Sequence, residues 1–313
     1  MKPDPLSLGH LRARNLAGFA ATALAATTLG LGLALAAAGP WRAWALGQLV
    51  LALAFLQWFV LLHEAGHRTL FATRAANRIV GHVAGALALI PFHNWSRIHA
   101  RHHRYTGWQD LDATTALLVP RSLGRAERSL VNVAWALCLP LFSVLYRVQN
   151  FWNVPRVARY LSRLDVRRAW FNAALLAAGY VALTIGVGPL ALAKLLAIGL
   201  ALSLAAQDVI LLSQHTHMPR ELSGGEDVKP FAPLDQEPFT RSMRMPEWLS
   251  RLLLSFDRHE LHHMYVRVPG YDLHRIAYRP ENEVHWLAWL RGAKRLSGTA
   301  FLFGRREETG FRL

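Results

Sequence analysis

Four apolar stretches, each close to the length that crosses a lipid bilayer, constrain the fold of this chain more than any other feature. They cover residues 15–39, 44–62, 170–188 and 190–212. The first three contain no charged side chain, and the fourth contains only Lys194 and Asp208. A helix needs about 20 consecutive apolar residues to cross the hydrocarbon core of a bilayer. The sequence therefore predicts an all-α, polytopic membrane protein with four transmembrane helices arranged as two hairpins.

Basic residues are distributed unevenly around these stretches. Residues 65–168 contain fifteen arginines against four acidic residues, and the C-terminal segment is also arginine-rich. The two short connections within the hairpins carry only Arg42 and, at the start of the fourth helix, Lys194. Because cytoplasmic segments are enriched in Lys and Arg, both termini and a helical cap of residues 63–169 and 213–313 are predicted to be cytoplasmic, in one domain over residues 1–313.

Two further features concern the compartment. The chain has 31 arginines and four lysines, with abundant alanine and leucine, which suggests a GC-rich bacterial genome. A bacterial inner membrane is therefore the expected location. A cleaved secretory signal at the N-terminus is the alternative interpretation of the first apolar stretch, but this stretch is longer than the usual h-region and its removal would delete half of the first hairpin. The single cysteine, Cys138, excludes an intrachain disulfide and a thiolate metal site, and its apolar neighbours predict that it packs as a small hydrophobic residue.

Eight of the fifteen histidines fall in three short windows, which we call the histidine boxes: HEAGH at 63–67, HARHH at 99–103 and HELHH at 259–263. Their i,i+3 and i,i+4 spacings place the rings on one face of a helix. Imidazole is the commonest metal ligand and suits Fe, Zn, Cu and Ni. Eight such ligands exceed what one metal ion can use, so the boxes predict two metal ions.

The first box begins where the second apolar stretch ends, so a helix leaving the bilayer would hold its histidines rigidly. Gly66 within this box would allow another helix to approach closely. The segment QHTH at 214–217 follows the fourth stretch and adds a ninth candidate ligand, His215, with His217 as the alternative. Metal-bound histidines usually donate their other ring N–H to an acceptor. The candidate partners near the boxes are Asp110, Asp112, Asp208, Asp257, Glu260 and His217.

The segments between the helices are also predicted. Residues 79–92 are apolar but too short to cross a bilayer, which indicates an interfacial or re-entrant helix. Residues 129–146 are interrupted by Pro140 and are assigned to the interface, because a crossing there would separate the boxes. Residues 219–246 are predicted to form a loop, residues 248–263 a helix that ends with the third box, and the tail from Arg305 a loosely ordered segment.

The three boxes, with Trp95 before the second, acidic residues after it and a P-x-Y sequence after the third, resemble the membrane fatty acid desaturase superfamily over residues 62–273. The resemblance implies a cytoplasmic non-haem di-iron centre, O2 as co-substrate and a substrate tunnel among the membrane helices. The ligands that it implies are His63, His67, His99, His102, His103, His215, His259, His262 and His263. The segments 214–217 and 269–271 favour an acyl-lipid desaturase, with a lipid, carotenoid or alkane hydroxylase or ketolase as the alternative.

The expected partners follow from what the sequence contains. It has no cysteine cluster, dinucleotide-binding glycine motif or fused haem domain, so a separate electron donor is expected: a ferredoxin, rubredoxin or cytochrome. The net charge of +15 suits an acidic donor protein or anionic lipid, and no nucleic-acid-binding module is present.

The sequence also has features of two other functional classes. HEAGH also satisfies the H-E-x-x-H signature of zinc hydrolases, but this reading leaves six box histidines unexplained. A metal or haem transporter would need a polar path through the spans, where only Gln48, Gln57, Gln207 and Asp208 qualify.

Overall fold

A computed structural model describes residues 2–311, which are mostly helical. The helices are α1 (Asn15–Ala37), α2 (Trp41–His67), α3 (Arg74–Leu87), α4 (Phe92–Tyr105), α5 (Arg125–Ala136), α6 (Leu141–Arg147), α7 (Val154–Val157), α8 (Arg163–Val187), α9 (Pro189–His215), α10 (Glu247–Leu252), α11 (His259–Met264), α12 (Trp286–Ala293), α13 (Gly298–Phe303) and α14 (Arg306–Thr309). Two short parallel strands, β1 (Met243–Arg244) and β2 (Val284–His285), pair with each other. Short 3₁₀- or π-helical segments lie at Ala116–Leu118, Val148–Trp152, Ala158–Tyr160, Pro233–Asp235, Glu237–Phe239 and Gly270–Arg275.

The four predicted membrane helices correspond to α1, α2, α8 and α9. Each is long and apolar enough to cross a bilayer, and the number of spans among the described residues rises to six if two bent helix pairs are each counted as one span. These bent pairs are α3 with α4, at 100°, and α5 with the segment 141–152, at 117°. They fall where the sequence predicts re-entrant or interfacial segments. Residues 79–92 therefore form parts of two helices, which meet at Leu89 in a left-handed conformation.

The chain divides into two compact units, each discontinuous in sequence. The apolar-helix unit comprises Ala13–Arg97 and Ser143–Gln207, and the histidine unit comprises Ile98–Phe142 with residues 2–12 and 208–311. The expectation of a single domain remains a prediction.

Small residues allow the helices of the apolar-helix unit to pack closely. A Cβ atom on Gly32 of α1 would lie 2.8 Å from the Leu51 side chain of α2, and one on Gly47 of α2 would lie 2.5 Å from the backbone of Ala36. The buried Gln48 side chain accepts a hydrogen bond from the amide of Gly199 in α9 at 2.8 Å. Polar groups in apolar surroundings need such partners.

In the histidine unit, α11 packs on an apolar cluster that includes the N-terminal segment. Leu11 is 3% exposed and lies in this cluster. The other buried members are Leu261, Met264, Tyr265, Val268, Leu273 and Ile276. The first residues of the chain are therefore part of the core beneath the third histidine box.

Three local expectations from the sequence are wrong. The helix predicted over residues 248–263 is interrupted, because Leu254 and Ser255 adopt positive φ angles of 50° and 55° between α10 and α11. The tail is ordered by Phe311, whose ring is buried and lies 5.2 Å from the ring of His217. Cys138 is exposed, since it lies in the turn after α5 with φ of 55°.

Candidate metal centre

Seven of the nine predicted ligands lie in the histidine unit, on three helices. The second box is on α4, the third box is on α11, and His215 is the last residue of α9. Their ligand nitrogens form two groups, and within each group the nitrogens lie within 4.8 Å of one another. The four-histidine group consists of His102, His215, His259 and His263. The three-histidine group consists of His99, His103 and His262.

Within each group, Nε2 atoms face one another at short range. The Nε2 atoms of His215 and His259 are 2.8 Å apart, and His103 Nε2 lies 3.1 Å from the corresponding atoms of His99 and His262. Two imidazole nitrogens that occupy adjacent positions on one metal, with bonds of about 2.1 Å, are roughly 3 Å apart. Both groups therefore fit a metal ion.

The Nδ1 atoms of three rings in the four-histidine group meet acceptors. His102 Nδ1 lies 2.7 Å from a carboxylate oxygen of Asp112, His215 Nδ1 lies 3.2 Å from the carbonyl oxygen of Phe239, and His263 Nδ1 lies 2.9 Å from Oε1 of Gln236. Carboxylate and carbonyl oxygens only accept, so each Nδ1 carries the proton and Nε2 keeps its lone pair for a metal. Burial lowers the pKa of His263 well below its ordinary value, which keeps that ring neutral and able to ligate.

Asp112 brings negative charge to the outer side of His102. Burial opposes ionisation of this carboxyl, but its interactions with His102 and with the Thr114 amide outweigh burial and lower its pKa. Its other oxygen accepts hydrogen bonds from the amide and the hydroxyl of Thr114, at 2.9 and 2.8 Å. A carboxylate in this position orients the imidazole and increases its basicity as a ligand.

His63 and His67 lie in the apolar-helix unit, at the end of α2. The helix continues without a break through His67, as the sequence predicts. Both rings contact the indole of Trp95, with centroid distances of 5.6 and 6.2 Å. The predicted close approach at Gly66 is confirmed, because a Cβ atom there would lie 2.1 Å from Cζ3 of Trp95. Glycine at this position thus lets Trp95 pack beneath the two rings.

Glu64, the glutamate of the first box, is buried and is held by its neighbours. One carboxylate oxygen lies 3.2 Å from Nδ1 of His63, and the other accepts a hydrogen bond from the hydroxyl of Thr69 at 2.8 Å. In this arrangement the carboxylate is an acceptor for an imidazole N–H, which is a supporting role for a ligand. The general base of a zinc hydrolase would instead have to reach a metal-bound water.

Two of the remaining predicted acceptors, Asp110 and Asp257, accept hydrogen bonds from serine residues. Asp110 accepts from the amide and hydroxyl of Ser223, at 2.6–3.1 Å, and Asp257 accepts from the hydroxyl of Ser250 at 2.6 Å. Asp208 is half-buried in α9.

Glu260 points away from the rings of its own helix. Its carboxylate accepts from the backbone amides of Ser242 and Asn282 at 2.9 and 2.8 Å, and burial raises its pKa to about 7. Positions 259, 262 and 263 share a face of α11, whereas position 260 is turned about 100° from His259.

His215 and His217 differ in position although they are two residues apart. His217 Nε2 donates to the carbonyl oxygen of Phe301 at 2.9 Å, and Nδ1 lies 3.1 Å from the Thr309 hydroxyl. These contacts place the His217 ring against α13 and the tail, outside both histidine groups. Its positive φ of 57° turns the chain away directly after α9.

Sequence reasoning missed several groups that contact predicted ligands, among them the Glu64 carboxylate, the side chain of Gln236 and the carbonyl of Phe239. Gln236 and Phe239 lie in the segment predicted only as a loop. Gln236 lies between the 3₁₀ turns Pro233–Asp235 and Glu237–Phe239, and Phe239 ends the second of them. A glutamine in a loop carries no spacing signal that relates it to a box 27 residues later. Glu64, in contrast, lies inside the first box, where its position next to His63 could have identified it, and Asp112, which was predicted, lies close to the second box.

Comparisons with known proteins show what this chain is similar to. Residues 39–291 match the family model for fatty acid desaturase. A probable fatty acid desaturase of Sorghum bicolor is 25% identical over 259 residues, which cover 79% of this chain and 66% of that protein. The chloroplastic sn-2 acyl-lipid omega-3 desaturase (ferredoxin) of Helianthus annuus is 22% identical over 262 residues, covering 79% and 58%. An sn-1 oleoyl-lipid 12-desaturase of Picosynechococcus is 40% identical over 62 residues, covering 20% and 18%. The chain spans less than two thirds of the length of these relatives.

Proposed function

Because this chain belongs to the fatty acid desaturase family, we propose that it is a membrane-bound, O2-dependent di-iron enzyme that introduces a double bond into the acyl chain of a lipid. The observation that carries the proposal is the pairing of two histidine groups in one unit, with three rings of one group anchored through Nδ1. A site made only of neutral imidazoles suits iron that must bind and activate O2. The relatives whose names specify an acyl lipid support that class of substrate.

The ligands divide as the geometry groups them. His102, His215, His259 and His263 would hold one iron, and His99, His103 and His262 would contribute to the second. His63 and His67 are retained as ligands because the first box resembles that of the superfamily. His215 is preferred to His217 as the ninth ligand, since the His217 ring is engaged with Phe301 and Thr309.

When bound, the two irons would supply the oxidising power that removes hydrogen from an unactivated carbon chain. Desaturation converts one CH2–CH2 unit into CH=CH and reduces O2 to two waters, so two electrons and two protons must be delivered. Asp112, Gln236 and the Phe239 carbonyl hold ring protons on Nδ1, which keeps Nε2 available to iron. The burial of His263, 1% exposed, keeps bulk water away from the centre.

The reaction also needs a source of electrons. We propose an acidic ferredoxin as the first donor to test, with rubredoxin or a cytochrome as alternatives, because the chain carries a net charge of +15 and one relative is named for ferredoxin. Opposite charges steer such encounters. The arginine bias of residues 65–168 supports cytoplasmic boxes and termini. We also propose that the four helices form two hairpins and that the protein lies in a bacterial inner membrane.

Lipid analysis tests the function. The chain would be expressed with a ferredoxin and its reductase in a host of known lipid composition, and total lipids would be analysed by mass spectrometry. We expect acyl chains that are lighter by two hydrogens, and loss of this product in a His102→Ala variant but not in a variant of the exposed His10, His10→Ala. A product that gains one oxygen would replace desaturation by hydroxylation. One zinc per chain and no oxidised lipid would refute the di-iron assignment.

A further inference from the structure

The segment 233–239 contacts His103 and His263 of the boxes and His215 at the end of α9. It also contacts Lys2, near the start of the chain. We infer that Lys2 holds segment 233–239 in place, and that the N-terminal segment, residues 2–12, thereby positions two iron ligands. The Gln236 side chain would position His263, and the Phe239 carbonyl would position His215. This inference rests on the proposed di-iron function for the identity of the metal. It adds a positioning role for Gln236, and for the N-terminal segment, that the histidine boxes do not imply.

The orientation of the Gln236 amide follows from its neighbours. The Nε2 atom lies 2.7 Å from the carbonyl oxygen of His103 and 3.3 Å from that of Phe231. Both carbonyls are acceptors only, so the NH2 end of the amide must face them. Oε1 then faces His263 Nδ1 at 2.9 Å, and the protonated Nδ1 leaves Nε2 as the ligand atom. Gln236 is 2% exposed, so water cannot replace it.

The same turn supports a second ligand of the four-histidine group. The Phe239 carbonyl accepts from Nδ1 of His215 at 3.2 Å, and Phe239 ends the 3₁₀ turn that Glu237 begins. The Phe239 amide in turn donates to the Gln236 carbonyl at 3.1 Å. A shift of the turn would therefore move the acceptors of His263 and His215 together.

Lys2 contacts this turn on both sides of Gln236. Its ammonium group lies 2.7 Å from the Glu237 carboxylate and donates to the carbonyl oxygen of Leu234 at 2.8 Å. Glu237 is 1% exposed and also accepts from the Tyr278 hydroxyl at 2.8 Å. A buried carboxylate that loses its cationic partner is strongly destabilised, so removal of Lys2 would displace the turn rather than leave it unchanged.

Two more contacts hold the N-terminal segment in register. The Tyr265 hydroxyl donates to the carbonyl oxygen of Pro3 at 2.8 Å, and Leu11 is buried in the cluster beneath α11. The segment is therefore attached to α11, which carries the third box, as well as to the turn that contacts that box. The N-terminal segment therefore connects α11 with the segment 233–239, and both of these contact or carry the ligands.

The test compares iron retention in the full-length membrane protein with Lys2→Met, Lys2→Arg and Gln236→Met, and with Lys229→Met as a control at an exposed lysine. Iron per chain and the rate of iron release to a chelator are measured, together with the thermal unfolding of the iron-free protein. Loss of the supporting partner of a metal ligand typically costs 10–100-fold in metal affinity. We expect about tenfold faster release for Gln236→Met, faster release for Lys2→Met, and recovery in Lys2→Arg.

Two readouts separate positioning from a general loss of stability. Gln236→Met leaves the contact between the Phe239 carbonyl and His215 in place, so the double variant Lys2→Met/Gln236→Met should release iron faster than Gln236→Met alone. The combined effect should still be smaller than the product of the two single effects, because residues in one network are not additive. In ⁵⁷Fe-loaded protein, Gln236→Met should change chiefly one of the two iron environments in the Mössbauer spectrum. Equal rates of iron release by wild type, Lys2→Met and Lys229→Met would overturn the inference about Lys2. If these proteins still bound two irons per chain, the proposed function would stand. A wild-type chain that binds no iron would refute the proposed function itself.

Discussion

The contact between His102 and Asp112 allows a quantitative test of the ligand support. Both oxygens of Asp112 accept hydrogen bonds, one from His102 Nδ1 and one from the amide and hydroxyl of Thr114. In Asp112→Asn one oxygen becomes an NH2 group. That group must either face the Thr114 amide, which is also a donor, or face His102 Nδ1 and drive its proton to Nε2. The first arrangement leaves two buried donors facing each other, and the second removes the Nε2 lone pair that would bind iron.

The expected cost follows from this conflict. His102 and Asp112 are 4% and 2% exposed, so water cannot relieve it. We expect iron affinity to fall by about 10–100-fold, equal to roughly 1.4–2.8 kcal/mol, while the iron-free protein still inserts into membranes. Competition with a chelator of known affinity measures the change. The matched control is Asp110→Asn, because Asp110 bonds Ser223 rather than a ring. Equal iron affinity in the two variants would refute the assigned role of Asp112.

Three other predictions follow from the packing and the topology. Gly66→Ala places a Cβ atom 2.1 Å from Trp95 and should lower stability by about 1–3 kcal/mol in thermal unfolding, whereas Gly30→Ala, with open space around it, should not. His215→Ala should lose iron, whereas His217→Ala should lower the unfolding temperature and retain iron; the opposite pattern would exchange their roles. A reporter fused after Pro40 should score as external and one after Arg168 as cytoplasmic; an external score at Arg168 would mean that residues 129–146 cross the bilayer.

The features that depend on neighbours along the chain could be predicted from the amino-acid sequence. The four apolar helices follow from hydropathy over about 20 residues, and the helical faces of the boxes follow from i,i+3 and i,i+4 spacing. The place of Asp112 near His102 was also foreseeable, because the acidic residues after the second box lie within ten residues of it. Local patterns are sufficient here because helix geometry converts sequence distance into spatial distance.

The groups from distant parts of the chain that support the ligands, in contrast, are brought to them by tertiary folding and could not be predicted. Glu260 is adjacent to His259, yet helix rotation directs it to the Ser242 and Asn282 amides, and the break at Leu254 ends a helix that hydropathy alone continues. Gln236 reaches His263, and Lys2 reaches Glu237 across 235 residues. Such contacts depend on the path of loops, whose sequences carry no periodic signal. They form because a buried carboxylate or amide must find partners somewhere in the folded chain.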